Sequence, residues 1–209
     1  MKKFYVLIFS CLMAANLIAQ TRWNGVLSSS ENSLDALANV NDVLYRIQDS
    51  TWLKLCNMPS LNLTDIKIDD KKNILVFYKS SIKLSINDGV SWTDIIKPID
   101  GGSYGEIFGD YIYLKGSGKI YRKNYIKPDV SWTMLYSGQY EDFTVMTNGI
   151  IFISQYDKNI LKSTDNGTTW VNTKWAGIGE FSTPGELNTK NNKLYVGTYW
   201  SGVYFCTHI

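Results

Sequence analysis

Hydrolysis of a glycosidic bond needs two carboxyl groups facing each other across the sugar, about 5–10 Å apart. Three pairs of acids close in sequence could supply them: Glu106 with Asp110, Glu141 with Asp142, and Glu180 with Glu186. All of these read as loop residues, where acids are ordinarily solvated, and no spacing singles out one pair. Metal chemistry has less to work with. His208 is the single histidine and stands beside the last residue, so a zinc site would have to combine distant cysteines with carboxylates. A Ser-His-Asp arrangement fails on the same residue. The sequence therefore implies neither a metal nor a cofactor.

Aromatic residues are the other candidate chemistry. Fourteen Tyr and seven Trp supply rigid amphipathic surface of the kind that contacts sugars and peptides. Trp175, Tyr199 and Trp200 fall in connections between strands, near Gly177, Gly179 and Gly202, and are the candidate ligand-binding residues.

Residues 1–19 read as an export signal: Lys2 and Lys3 form the basic end, Phe4 to Ala15 the apolar run, and Leu17-Ile18-Ala19 the cleavage site before Gln20. The apolar run is too short for a membrane anchor. Setting aside Lys2 and Lys3 leaves 19 basic against 19 acidic residues, a net charge of zero with no basic run. A polyanion needs a basic footprint, so nucleic acid is not an expected partner. Export to the periplasm, cell surface or medium permits disulfides, and Cys56 and Cys206 could pair across the chain or remain two buried thiols.

The elements that must position these residues are announced by a repeat. Ser163-Thr164-Asp165-Asn166-Gly167-Thr168-Thr169-Trp170 reads S-x-D-x-G-x-x-W, and Ser85-Ile86-Asn87-Asp88-Gly89-Val90-Ser91-Trp92 is a second copy with the acid one place later. A hairpin turn needs positive φ, which Gly supplies without steric cost, and a short acid or amide that can bond nearby backbone N–H groups. Asp165 with Gly167, and Asn87 or Asp88 with Gly89, meet that need. Shorter relics stand at Pro128-Asp129-Val130-Ser131-Trp132 and Gln48-Asp49-Ser50-Thr51-Trp52. The tryptophans at 52, 92, 132 and 170 are spaced by 40, 40 and 38 residues, the length of four short antiparallel strands with their turns.

This eight-residue pattern resembles the Asp-box, or BNR repeat, of sialidases, sortilin-type receptors, some glycoside hydrolases and many exported propellers. The resemblance implies a β-propeller with the boxes on its periphery, away from any active centre. Ser85, Asp88, Gly89, Trp92, Asp129, Trp132, Ser163, Asp165, Gly167 and Trp170 are then structural. Sialidases also carry an Arg triad, a Tyr nucleophile with a Glu partner and an Arg-Ile-Pro motif. Tyr45-Arg46-Ile47-Gln48 lacks the Pro, and a triad would require all three arginines of the chain, Arg22, Arg46 and Arg122.

Around the boxes the strands read as Leu34–Val40, Val43–Ile47 and Trp52–Leu55, a set one strand short. Full sets follow: Leu63–Ile68, Ile74–Lys79, Ile82–Ile86 and Trp92–Ile96; Gly105–Phe108, Tyr111–Lys115, Lys119–Arg122 and Trp132–Tyr136; Phe143–Thr147, Ile150–Ser154, Ile160–Ser163 and Trp170–Lys174. Asn192–Tyr199 and Ser201–Cys206 begin a fifth blade, which residues 21–27 would complete as its outer strand, hiding an edge. The expectation is an all-β, small five-bladed propeller over residues 20–209. Its expected role is a non-catalytic interaction or glycan-binding module with a glycan or protein ligand. The alternatives are a carbohydrate-active hydrolase and a fragment of a larger Asp-box propeller.

Overall fold

The computed structural model describes residues 28–29, 36–40, 42–48, 51–58, 62–69, 71–98, 102, 104–127, 129–146, 148–156, 159–173, 184–190, 193–199 and 202–206. The expected signal at 1–19 and the closing strand at 21–27 lie outside them. The described chain is all β, in five antiparallel sheets. Sheet one comprises β1 (Ser28–Ser29), β2 (Ala36–Val40), β3 (Val43–Gln48) and β4 (Thr51–Asn57) in that order. Sheet two follows with β5 (Leu63–Ile68), β6 (Ile74–Tyr78), β7 (Ser81–Ser85) and β8 (Thr93–Ile96). Sheet three holds β9 (Tyr104–Phe108), β10 (Tyr111–Lys115), β11 (Lys119–Asn124) and β12 (Thr133–Ser137). Sheet four holds β13 (Asp142–Val145), β14 (Ile151–Ser154), β15 (Ile160–Ser163) and β16 (Val171–Asn172). Sheet five has β17 (Pro184–Lys190), β18 (Lys193–Thr198) and β19 (Gly202–Cys206).

Each strand pairs with its neighbour in sequence, the order that short turns impose. Gly149, at φ 82, closes the β13–β14 hairpin in a conformation that costs glycine little. Two sequence expectations need correction. The first set is not a strand short, because Ser28–Ser29 pairs with Ala36 and Leu37. The fifth sheet contains β17, which its sequence PGELNTK conceals: Pro and Gly are poor strand formers, and they fall where the register slips between Pro184 and Leu187.

The chain divides at Asp94/Ile95 into two compact units. In the first, Leu37 and Leu44 of sheet one pack with Ile66, Ile68, Ile74 and Val76 of sheet two. In the second, Tyr113, Ile120 and Leu135 of sheet three meet Phe143, Ile151 and Ile153 of sheet four. The other side of sheet four, through Met146, Phe152 and Ile160, packs on Leu187, Leu194 and Val196 of sheet five. A sheet covered on both sides explains why β14 is buried at every position and reads as an unbroken apolar run; β6 is buried throughout as well. Each such side chain contributes about 1.5–3 kcal/mol by leaving water. The fourth strands are the wet ones: β8, β12 and β16 are mostly exposed.

Candidate functional site

The two eight-residue loops have the same internal bonding. Ser163 Oγ accepts from the Gly167 amide at 2.8 Å and donates to Asp165 Oδ1 at 2.8 Å, while Asp165 Oδ1 also accepts from the Thr169 amide at 2.9 Å. In the earlier loop Ser85 Oγ accepts from Gly89 N at 2.8 Å and donates to Asn87 Oδ1 at 3.0 Å, and Asn87 Oδ1 accepts from Ser91 N at 2.9 Å. Of the two candidates at 87 and 88, Asn87 therefore matches Asp165. Asp88 takes the place of Asn166, both with positive φ, 54° and 60°. Its carboxylate leaves the loop and meets Arg46 Nη1 of β3 at 2.5 Å. The hydrogen bonds from Thr169, followed by that from Ser163, hold the exposed Asp165 carboxyl down at about 2. Asp129, by contrast, lies in an exposed turn that is tied by Asn124, whose Oδ1 accepts from the Ile126 and Lys127 amides, each at 3.0 Å.

The loops also reach the outer strand of the sheet before them. A Cβ on Gly167 would come within 2.9 Å of Leu135 Cβ in β12, and one on Gly89 within 3.5 Å of Leu55 Cβ and Cys56 Sγ in β4. Trp170 Nε1 donates to the Leu135 carbonyl at 3.3 Å, and Trp132 Nε1 to that of Ile96 at 2.7 Å. Trp92 turns its indole N–H onto Gly89 O at 3.0 Å. Cys56 is a free, half-buried thiol whose pKa burial raises, and the side chain of Cys206 lies outside the described residues.

Polar and aromatic side chains converge elsewhere, at one end of sheets three, four and five. Register sets Lys115, the last residue of β10, opposite Tyr104, the first of β9, and Ser154 opposite Asp142. Lys115 Nζ crosses to the Glu141 carbonyl at 2.5 Å and to Asp142 Oδ1 at 3.0 Å. The other oxygen of Asp142 accepts from the Leu187 amide of β17 at 2.9 Å, and Ser154 Oγ donates to Gly185 O at 2.7 Å. Above this frame Tyr199 donates its phenol to Glu141 Oε2 at 3.2 Å. That bond, with the charge of Glu141 behind it, raises the phenol above its ordinary range and keeps it protonated. Tyr104, Tyr156 and Tyr199 are 59%, 56% and 60% exposed.

Of the sequence-derived candidates, only Tyr199 is described at this end; Trp175 and Trp200 lie outside the described residues, as do Arg22, Glu180 and His208. Two of the three acid pairs are described, and the structure separates the roles of their members. Glu106 sits inside β9 opposite Tyr113, whereas Asp110 is in the turn at the far end of the same hairpin. Asp142 is engaged by Lys115 and Leu187 while its neighbour Glu141 faces Tyr199, and Glu186 is an exposed strand residue of β17, not a loop acid. Arg46 faces Asp88, and Arg122 lies 4.8 Å from the ring centre of Tyr111. Among the described residues no three His, Cys, Asp or Glu side chains gather as a metal site would require. Tyr104 and Tyr156 were missed. Tyr156 and Tyr199 follow the second strands of successive sheets and are 43 residues apart, close to the Trp period, which is the signal that could have found them.

No protein-family model and no curated protein matches the sequence. Solved structures do. YCF48 bound to D1 peptide aligns with a TM-score of 0.61 at 15% identity, covering 82% of this chain and 60% of that one. Virginiamycin B lyase from Staphylococcus aureus aligns at 0.60 and 14%, covering 90% and 73%. The extracellular domain of the two-component system BT4673 from B. thetaiotaomicron aligns at 0.59 and 10%, covering 86% of this chain and 27% of its own. This chain thus spans less than two thirds of the length of the first and about a quarter of the third. With the five antiparallel sheets, these likenesses establish a β-propeller fold. Among the described residues no helix is long and apolar enough to cross a membrane.

Proposed function

We propose that this protein is an exported, non-catalytic β-propeller that binds a glycan or protein ligand at the tyrosine-bearing end of sheets three to five. The observation that carries the reading is the convergence there of three exposed tyrosines on a frame held by Lys115, Asp142 and Ser154. Large rings exposed together above a hydrogen-bonded floor are expensive to leave wet and well suited to stacking on a ligand. Trp175 and Trp200, outside the described residues, are kept as candidate ligand-binding residues on the ground of the sequence. The S-x-D-x-G-x-x-W loops are assigned to the Asp-box class with a role in holding the fold, because the Asp165 and Asn87 side chains are occupied within their own loops. The similar propeller YCF48, solved with D1 peptide bound, supports a binding role, and the extracellular propeller domain of BT4673 is compatible with the export signal read at residues 1–19.

A hydrolase is the second reading, favoured by the hydrogen bond between Glu141 and Tyr199. The resting phenol stays protonated, and it would act as a nucleophile only as Glu141 takes its proton. A glycan array, a peptide library and a panel of chromogenic glycosides applied to the purified protein separate the two. Binding without turnover, lost in Tyr199→Ala, is the expected result; turnover abolished in Tyr199→Phe would overturn it.

A further inference from the structure

We propose that the end of the sheets bearing Tyr104, Tyr156 and Tyr199 docks a cationic peptide, with lysine or arginine side chains over the tyrosine rings and their charge against Glu141 and Glu186. The inference rests on the binding-face reading above and narrows it to one class of partner.

Charge is the first argument. Lys115 is already occupied by Asp142 and the Glu141 carbonyl, and it lies over the Tyr140 ring at 5.8 Å. Among the described residues of this cluster that leaves the Glu141 and Glu186 carboxylates without an ion pair, and both act electrostatically on Tyr199, while Lys97, the cation nearest Tyr104 in sequence, is held on Gly102 O at 2.8 Å. An anionic ligand would meet two carboxylates on approach, and a neutral sugar would use them as hydrogen-bond acceptors without neutralising their charge. A cation gains twice, from the carboxylates and from the electron-rich ring faces, which attract ammonium and guanidinium groups.

Extent is the second. The three rings belong to the ends of three successive sheets: Tyr104 begins β9, Tyr156 follows β14 and Tyr199 follows β18. Packed sheets stand about 10 Å apart, so the rings span about 20 Å, the reach of an extended peptide of about six residues. A lone polyvalent cation would cover only one of them.

The test uses fluorescence anisotropy on the purified protein with three labelled probes: a decapeptide of alternating serine and lysine or arginine, its glutamate counterpart, and a neutral oligosaccharide. The basic peptide is expected to bind, and its affinity to fall about tenfold from 0.05 to 0.5 M salt as screening shortens the reach of Glu141 and Glu186. The double change Glu141→Gln with Glu186→Gln should weaken it about tenfold, and Tyr104→Ala, Tyr156→Ala and Tyr199→Ala combined by at least as much. Equal binding of the glutamate peptide, or an unchanged affinity in the double variant, overturns the proposal. If the oligosaccharide binds in a tyrosine-dependent way and the basic peptide does not, the face stands and the cationic partner falls. If no probe binds, or binding ignores the tyrosines, both readings fall. Should the triple variant not fold, Glu186→Gln alone, at an exposed strand position, carries the test by a loss of about threefold.

Discussion

Gly167 stands on Leu135: a Cβ at position 167 would lie 2.9 Å from Leu135 Cβ, with the backbone at φ 84. The turn of one sheet is thereby keyed to the outer strand of the sheet before it, two residues 32 positions apart in sequence. Gly89 occupies the same place in the earlier loop, yet its nearest neighbours would be 3.5 Å away. Gly167→Ala combines left-handed backbone strain with overpacking and should cost about 2–4 kcal/mol, whereas Gly89→Ala carries the strain alone and should cost about 1 kcal/mol. Urea unfolding of the two variants measures the difference, and equal losses would show that the contact with Leu135 relaxes freely.

Asp165 and Asn87 make the same loop with different chemistry, and pH separates them. The Asp165 carboxyl is held below its ordinary 3.8, at about 2, by hydrogen bonds from Thr169 and then Ser163. A depressed folded-state value means that the stabilisation is complete above the unfolded value and disappears as pH falls from about 4 through about 2. Asp165→Asn should keep the loop, since Asn87 Nδ2 donates to Ser91 Oγ at 2.8 Å where Asp165 accepts from Thr169 Oγ1. The melting temperature of the wild type should then fall more steeply than that of Asp165→Asn across this window. Parallel curves would refute the assignment.

Arg46 and Asp88 form a pair with one partner buried and the other half in water, their side chains 7% and 55% exposed. Removing Asp88 by Asp88→Asn preserves a residue that tolerates its φ of 54° but takes away the charge. Because solvent screens the exposed partner, the expected coupling in a double-mutant cycle with Arg46→Met is about 1–2 kcal/mol, less than a fully buried pair shows. A coupling near zero would mean that Arg46 is held by its packing.

Ser154 is fully buried and joins two sheets, donating to Gly185 O at 2.7 Å and accepting from the Asp142 amide at 3.0 Å. Ser154→Ala should cost about 1–3 kcal/mol, because it strands buried polar groups. It should also weaken ligand binding at Tyr199 without touching the ligand, since β17 and the Glu141–Asp142 corner lose their shared anchor. Chemical denaturation and a titration with the same probe report the two effects, and intact binding in a destabilised variant would detach Ser154 from the site.

Much of the architecture was legible in one dimension. Tryptophans at 52, 92, 132 and 170 and the paired S-x-(N/D)-x-G turns encode local events: a hairpin closes within eight residues, and its indole begins or precedes the returning strand. Strands such as β6 and β14 carry burial on both faces in their own composition. What local chemistry could not reveal is β17, whose Pro184, Gly185 and polar residues become a strand because β18 and β13 are there to receive it. Nor could it reveal which acid is which. Asn87 rather than Asp88 closes its loop, a distinction set by backbone φ, and Asp88 is drawn off by an arginine 42 residues away.

The amino-acid order alone decided the class of fold, because turn chemistry and apolar periodicity act over a few residues and repeat about every forty. Tertiary structure alone decided the tyrosine-bearing cluster at the ends of sheets three to five, because Lys115 meets Asp142 from 27 residues away and Glu141 meets Tyr199 from 58. No periodic pattern marks such pairs. They exist only once separate sheets are stacked and their ends brought level.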